Sequence, residues 1–225
     1  MRVCAAPPFA ADTPCVDDAR WRAHDLLRVT RLVRADNEPD WVREALARAP
    51  WAVVRRARSA EGFVAVGVRG ATRAQRFGTW LHHQDVETIC APEALLNTTP
   101  PGDRCALPVF VALARLCASP SALDGYAWGP TGSAGFELAT GVHTISASSD
   151  LDLLIRMPGR PAPAAIRTLA DLLAHAANRA GTRVDAQLET PTGGVALAEL
   201  AAGKPHVLAR ASDGPRLVTD PWSAP

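Results

Sequence analysis

The chain has 225 residues, 48% of them hydrophobic, and sets 24 Lys plus Arg against 23 Asp plus Glu for a formal net charge of +1. That balance excludes the broadly basic surface of a general nucleic-acid binder. No apolar run approaches the ~20 residues of a membrane span, and the opening MRVCAAPPFAADTPCVDDARWR lacks the apolar core of a signal peptide. A cytoplasmic protein with no nucleic-acid or membrane partner is expected. The five cysteines (Cys4, Cys15, Cys90, Cys105, Cys117) are odd in number and form no Cys-x-x-Cys, which argues against disulfides and structural zinc. Cys117 is expected to be a small buried side chain.

Residues 1–20, rich in Ala, Pro and Asp, have no periodicity and predict a disordered extension. His24–Val29 predicts a strand. Trp41–Ala49 predicts a helix capped by Asp40 and ended by Pro50. Trp51–Arg58 and Phe63–Arg69 predict a hairpin, followed by a basic segment, GATRAQRFGTWL, of mixed character. Residues 82–106 predict loops with a short helix at Pro92–Leu96, and Pro108–Ala118 a buried helix. A domain boundary is expected at 120/121, separating an N-terminal α+β domain (21–120) from a second domain (121–225).

In the second half, Tyr126–Gly129 predicts a short strand and Ala164–Ala180 a long amphipathic helix ended by Gly181. Thr182–Thr190 alternates as a half-buried strand, Val195–Ala202 is ambiguous, and 206–219 predicts a hairpin. The class is α+β: a mixed sheet with helices packed on it.

The stretch that carries chemistry is GPTGSAGFELATGVHTISASSDLDLLI, residues 129–155. Gly132 and Ser133 stand where a strand gives way to a helix, a place where free N–H groups bind phosphate. Gly permits close approach of the phosphate and Ser adds a hydroxyl. Asp150 and Asp152, two apart on a strand, share a face, with Leu151, Leu153 and Ile155 turned to the core. Paired carboxylates suit Mg²⁺, which takes one or two of them plus substrate phosphates. Asp185, at the head of the next strand, would be a third metal ligand if that strand lies alongside.

Strand, Gly-Ser, helix, Asp-x-Asp and a later carboxylate form a layout that resembles the nucleotidyltransferase superfamily. Together HDLLRV (24–29), VAVGVRGATRAQRFG (64–78), LPVFVAL (107–113) and WGPTGSAGFELATG…SDLDLL resemble the malonate decarboxylase holo-acyl-carrier-protein synthase family. The resemblance covers roughly residues 24 to 220. It implies a nucleotidyltransferase-like fold and a phosphoribosyl-dephospho-CoA transferase. Its donor would be triphosphoribosyl-dephospho-CoA, its acceptor a serine of the malonate decarboxylase acyl carrier protein, and its leaving group pyrophosphate. The family's catalytic aspartates map onto Asp150 and Asp152. Arg69, Arg73 and Arg76, in the recognised basic segment, are expected to contact phosphates, whereas Arg55, Arg56 and Arg58 read as a solvated hairpin face. The alternatives are a nucleotidyltransferase using an ordinary NTP, and a non-catalytic binding module of the same fold.

Overall fold

The structure is a computed structural model that describes residues 3–10, 12–14, 18, 20–72, 74–118 and 122–223. It divides into two compact units, Met1–Ala91 and Pro92–Pro225. The division falls after Ala91 and not at 120/121. The reason is packing: helix α2 (Pro108–Cys117) lies against α4 (Pro163–Ala180) and strand β8 (Leu151–Arg156), so it belongs to the second unit's core. Residues 119–121 lie outside the described residues.

The first unit is built on a six-stranded sheet. Its strands are β1 (Val3–Cys4), β2 (Leu26–Val29), β3 (Trp51–Val54), β4 (Phe63–Arg69), β5 (Arg76–His82) and β6 (Val86–Cys90), in the order β1-β5-β4-β3-β2-β6. β3, β4 and β5 form an antiparallel meander, so the mixed-looking GATRAQRFGTWL contains a full strand. The expected disordered extension gives way to ordered contacts over residues 3–9, and residues 1–2, 11, 15–17 and 19 lie outside the described residues. β1 pairs parallel with β5, and the Phe9 ring meets Trp80 edge-on at 6.0 Å.

Period-2 alternation along β4 and β5 sends Val64, Val66, Val68, Phe77 and Leu81 to a buried face. That face shares a core with Val42 and Ala45 of α1 (Trp41–Arg48). Asp40 does not cap α1. It is itself helical (φ −57°, ψ −34°), and its carboxylate accepts from Arg34 at 3.0 Å.

The second unit has strands β7 (Ala127–Pro130), β8, β9 (Val184–Thr190), β10 (Gly193–Ala196), β11 (Val207–Ala211) and β12 (Gly214–Val218), in sequential order across the sheet. β8 and β9 are parallel and all other neighbours antiparallel. Parallel strands need a long crossover, which the 18 residues of α4 supply. Leu151, Leu153, Leu154 and Ile155 of β8 are at most 1% exposed, whereas Asp152 is only half-buried. The segment 195–202 resolves into the end of β10 followed by a short helix α5 (Leu197–Ala201). Cys117 is exposed, not buried. Among the described residues, no helix is long and apolar enough to cross a membrane.

Replacing buried Leu153 by Ala should cost about 2–5 kcal/mol of stability through lost burial and a residual cavity. Leu217→Ala, at a side chain 70% exposed, should stay within about 0.5 kcal/mol. Urea denaturation monitored by tryptophan fluorescence separates the two.

Candidate active site

The site is assembled by four consecutive pieces of the second unit. β7 ends at Pro130, and helix α3 (Gly132–Thr140) starts two residues later. Thr131 donates its backbone N–H to Asp152 O at 2.8 Å, which ties the start of the helix to β8. Gly132 has φ +58°, in the left-handed region where a side chain is strained. A Cβ at Gly132 would lie 2.2 Å from Asp152 Oδ2. The glycine therefore lets the helix N-terminus and the Asp152 carboxylate share one place. Carboxylates are favoured there, and the first-turn N–H groups have no acceptor within the helix.

Asp150 immediately precedes β8, two residues from Asp152. The parallel register places Asp152 directly beside Asp185 of β9, and neighbours in register turn to the same face of a sheet. The expected adjacency of the two strands is thus present. Asp185 is not free to act as a ready ligand, however. Its carboxylate accepts a hydrogen bond from Arg183, whose guanidinium also stands 3.6 Å from Asp150 Oδ2. The hydrogen bond to Asp185, with the charges of Asp185, Asp150 and Asp152, raises the Arg183 pKa above its usual value. Among the described residues, no group of three or more His, Cys, Asp and Glu side chains is placed to hold a metal ion. Asp150 and Asp152, two residues apart, are carboxylates of the kind that with phosphate oxygens suit Mg²⁺, which prefers hard oxygens and few protein carboxylates.

Between α3 and β8 runs the Ser-rich loop that delivers Asp150. It is pinned from beneath by Glu137, a wholly buried carboxylate in α3. Glu137 accepts from Thr144 N at 2.7 Å, Ile145 N at 2.8 Å and Arg104 Nη2 at 2.9 Å, and also from Arg104 Nε. Arg104 in turn donates to Ile145 O at 2.8 Å. Burial raises the Glu137 pKa, but the Arg104 hydrogen bond and the two N–H donors outweigh it, so the net shift is downward. Further along, Thr182 Oγ1 donates to Ser149 O at 2.9 Å and fastens the loop to the approach of β9. Beside Asp150 and Arg183 opens a cleft of about 390 Å³, lined by Ser148, Ser149, Asn178 and Thr182.

Sequence reasoning missed Glu137, Arg104 and Arg183. Glu137 carried a signal, being the one charge in the otherwise uncharged helix GSAGFELAT. Arg183 had only its closeness to Asp185, and Arg104 had none. Arg69 and Arg76 lie in the first unit, directly opposite each other on β4 and β5. Arg73 lies outside the described residues.

Two family models match the chain. Residues 22–92 match the Phosphoribosyl-dephospho-CoA transferase MdcG N-terminal domain, and 96–221 match the Phosphoribosyl-dephospho-CoA transferase MdcG C-terminal domain. Relatives named phosphoribosyl-dephospho-CoA transferase agree. One from Pseudomonas putida is 44% identical over 90% of this chain and 96% of its own. One from Pseudomonas aeruginosa is 47% identical over 88% and 92%.

The chain belongs to the phosphoribosyl-dephospho-CoA transferase family. A family member from Azotobacter vinelandii is 44% identical over 88% of this chain and 93% of its own. The two family domains meet between residues 92 and 96, where the structure also divides. No solved structure matches the chain. As a member of this family the protein is a transferase enzyme, and the second family domain contains Gly132, Ser133, Asp150, Asp152 and Asp185.

Glu137→Gln leaves Arg104 with no anionic partner in a site only 16% exposed, and should cost roughly 3–5 kcal/mol. Because the folded pKa is lowered, the stability contributed by Glu137 is full above the ordinary carboxylate value of 4.5 and is lost as pH falls through the folded value. Melting curves from pH 7 downward should therefore show a steeper acid limb in the wild type than in Glu137→Gln.

Proposed function

We propose that this transferase moves the phosphoribosyl-dephospho-CoA group from triphosphoribosyl-dephospho-CoA to a serine of the malonate decarboxylase acyl carrier protein. The serine Oγ forms a bond to the innermost phosphorus of the triphosphate. The bond from that phosphorus to the next phosphate breaks, pyrophosphate leaves, and the hydroxyl proton is lost to solvent.

One observation carries this reading. Asp152 and Asp185 stand side by side in register, Gly132 at the start of α3 leaves room for the Asp152 carboxylate, and Asp150 immediately precedes the strand that carries Asp152. A helix N-terminus accepts phosphate oxygens and a carboxylate pair accepts a hard cation, and a polyphosphate donor needs both. Asp150 and Asp152 would hold Mg²⁺, with Asp185 as a further ligand once its bond to Arg183 opens. Bound there, Mg²⁺ supplies charge stabilisation on the phosphoryl oxygens.

The chain's own residues do the positioning. The first-turn N–H groups of α3 and the Ser133 hydroxyl orient the triphosphate. Arg183 balances the aspartates before substrate arrives. Released from them, its guanidinium becomes a donor for phosphate oxygens. Glu137 and Arg104 hold the loop so that Asp150 meets the strand in one geometry.

The test is to incubate the apo carrier subunit with triphosphoribosyl-dephospho-CoA, Mg²⁺ and this protein, and to weigh the carrier. A mass increase equal to the prosthetic group is expected, and chelation of Mg²⁺ should prevent it. An unmodified carrier, together with nucleotidyl transfer from ATP to a small acceptor, would replace this reading with the NTP-dependent one. Asp150→Asn and Asp152→Asn should each reduce transfer by at least ~100-fold, as loss of transition-state charge stabilisation does elsewhere. Turnover near normal in either variant would remove that residue from the site. Gly132→Ala, which drives a methyl group into Asp152, should lower transfer as well while leaving the melting temperature of the first unit unchanged.

A further inference from the structure

The residues that β3, β4 and β5 turn away from the first unit's core share the opposite sheet face. In register, Arg69 stands opposite Arg76, and Gly67 stands between Val53 and Gly78. Arg55 follows β3 and continues its ladder, donating N–H to Ala65 O at 2.9 Å. Alternation therefore turns Arg55 to the same face as Gly67 and Gly78.

Its side chain runs diagonally across that glycine pair. A Cβ at Gly67 would lie 3.3 Å from Arg55 Cδ, and one at Gly78 would lie 2.1 Å from Arg55 Nη1. Gly67 thus underlies the aliphatic stem of Arg55, and Gly78 its guanidinium. Arg55 is not the solvated hairpin residue its sequence context suggested. Its Nη1 is buried and has no hydrogen-bond partner among the described residues.

A buried charged N–H without an acceptor is costly and calls for a ligand or other explanation. Gly78 is two residues from Arg76, about 6.8 Å along the strand, so three guanidinium groups gather around one short stretch of sheet. None of the residues that β3, β4 and β5 turn to this face is acidic. Trp51 and Trp80 flank the stretch on the same face.

We propose that this face of the first unit is a phosphate-binding site, in which Arg55, Arg69 and Arg76 take the oxygens of a phosphate group above Gly67 and Gly78. The guanidinium fork suits phosphate geometry, and the missing glycine side chains let Arg55 lie close against the sheet on the face it shares with Arg69 and Arg76. In naming the donor as the natural ligand, this inference rests on the function proposed above. That donor carries phosphate in two places, the triphosphate and the diphosphate bridge of its dephospho-CoA part.

Titration calorimetry of the full chain with inorganic tripolyphosphate and, separately, with dephospho-CoA tests the site and distinguishes its source. At least one probe is expected to bind, and Arg55→Met should weaken that binding about tenfold or more, as loss of one charge-assisted hydrogen bond does. Arg55→Lys should lose less. Preference for tripolyphosphate assigns the triphosphate, and preference for dephospho-CoA assigns the diphosphate bridge. Should Arg55→Met fail to fold, Arg76→Gln carries the same expectation. Failure of both probes to bind, or equal binding by wild type, Arg55→Met and Arg76→Gln, overturns the proposal. So does a result in which these variants lose only association with the acidic carrier protein, which would make the face a protein-docking surface. The titration reads capture without any transfer. A carrier that stays unmodified therefore counts against the proposed function and leaves this site standing.

Discussion

The parallel pairing of β8 with β9 is the constraint on which the second unit depends. All other neighbours in that sheet are antiparallel and can be joined by short turns. This one pair demands a crossover, and α4 supplies it while covering the sheet with Ile166, Leu169 and Leu173. The same pairing sets Asp152 beside Asp185. A slip of one residue in β8 would turn both Asp150 and Asp152 into the core and bring Leu151 and Leu153 out. The apolar side chains of the strand thereby hold its carboxylates on the outer face.

The candidate site is held in shape by paired charges. Glu137 is fully buried, a costly place for a carboxylate, and it is tolerated because Arg104 and two backbone N–H groups satisfy it. Such a pair adds little net stability over an apolar substitute, but it admits only one path for the loop between α3 and β8. Arg183 works at the surface in a complementary way, compensating carboxylates whose mutual repulsion would otherwise disfavour their gathering.

The two units use glycine for different ends. At Gly132 the missing side chain lets a carboxylate and a helix N-terminus coincide. At Gly67 and Gly78 it lets the Arg55 side chain lie close against the sheet. At Gly132 and at Gly78 a polar atom lies where a Cβ would crowd it, the Asp152 carboxylate in one and the Arg55 guanidinium in the other.

Much of the second unit was legible in the chain itself. The strand–helix junction at Gly132, the apolar run of β8, α4 and the alternation of β9 each follow from patterns a few residues long. Such patterns reflect local backbone sterics and burial of one face. The first unit was less legible. β5 hid in a basic segment because its outward residues are Arg, Gly and Trp instead of a plain polar set, and β1 is only two residues long. The domain boundary was misplaced because a Pro- and Ser-rich turn resembles a linker, whereas the packing of α2 on α4 is a contact between residues some fifty apart.

By itself, then, the sequence determined most elements of the second unit, the face of each that is apolar, and the order in which Gly132, Ser133, Asp150, Asp152 and Asp185 follow one another. Tertiary structure alone decided that Asp185 is held by Arg183, that Glu137 is buried and satisfied, and that Arg55 lies over two glycines. The last two depend on partners distant in the chain, about which local propensity carries no information, and the first depends on how two neighbouring side chains are turned where β9 begins.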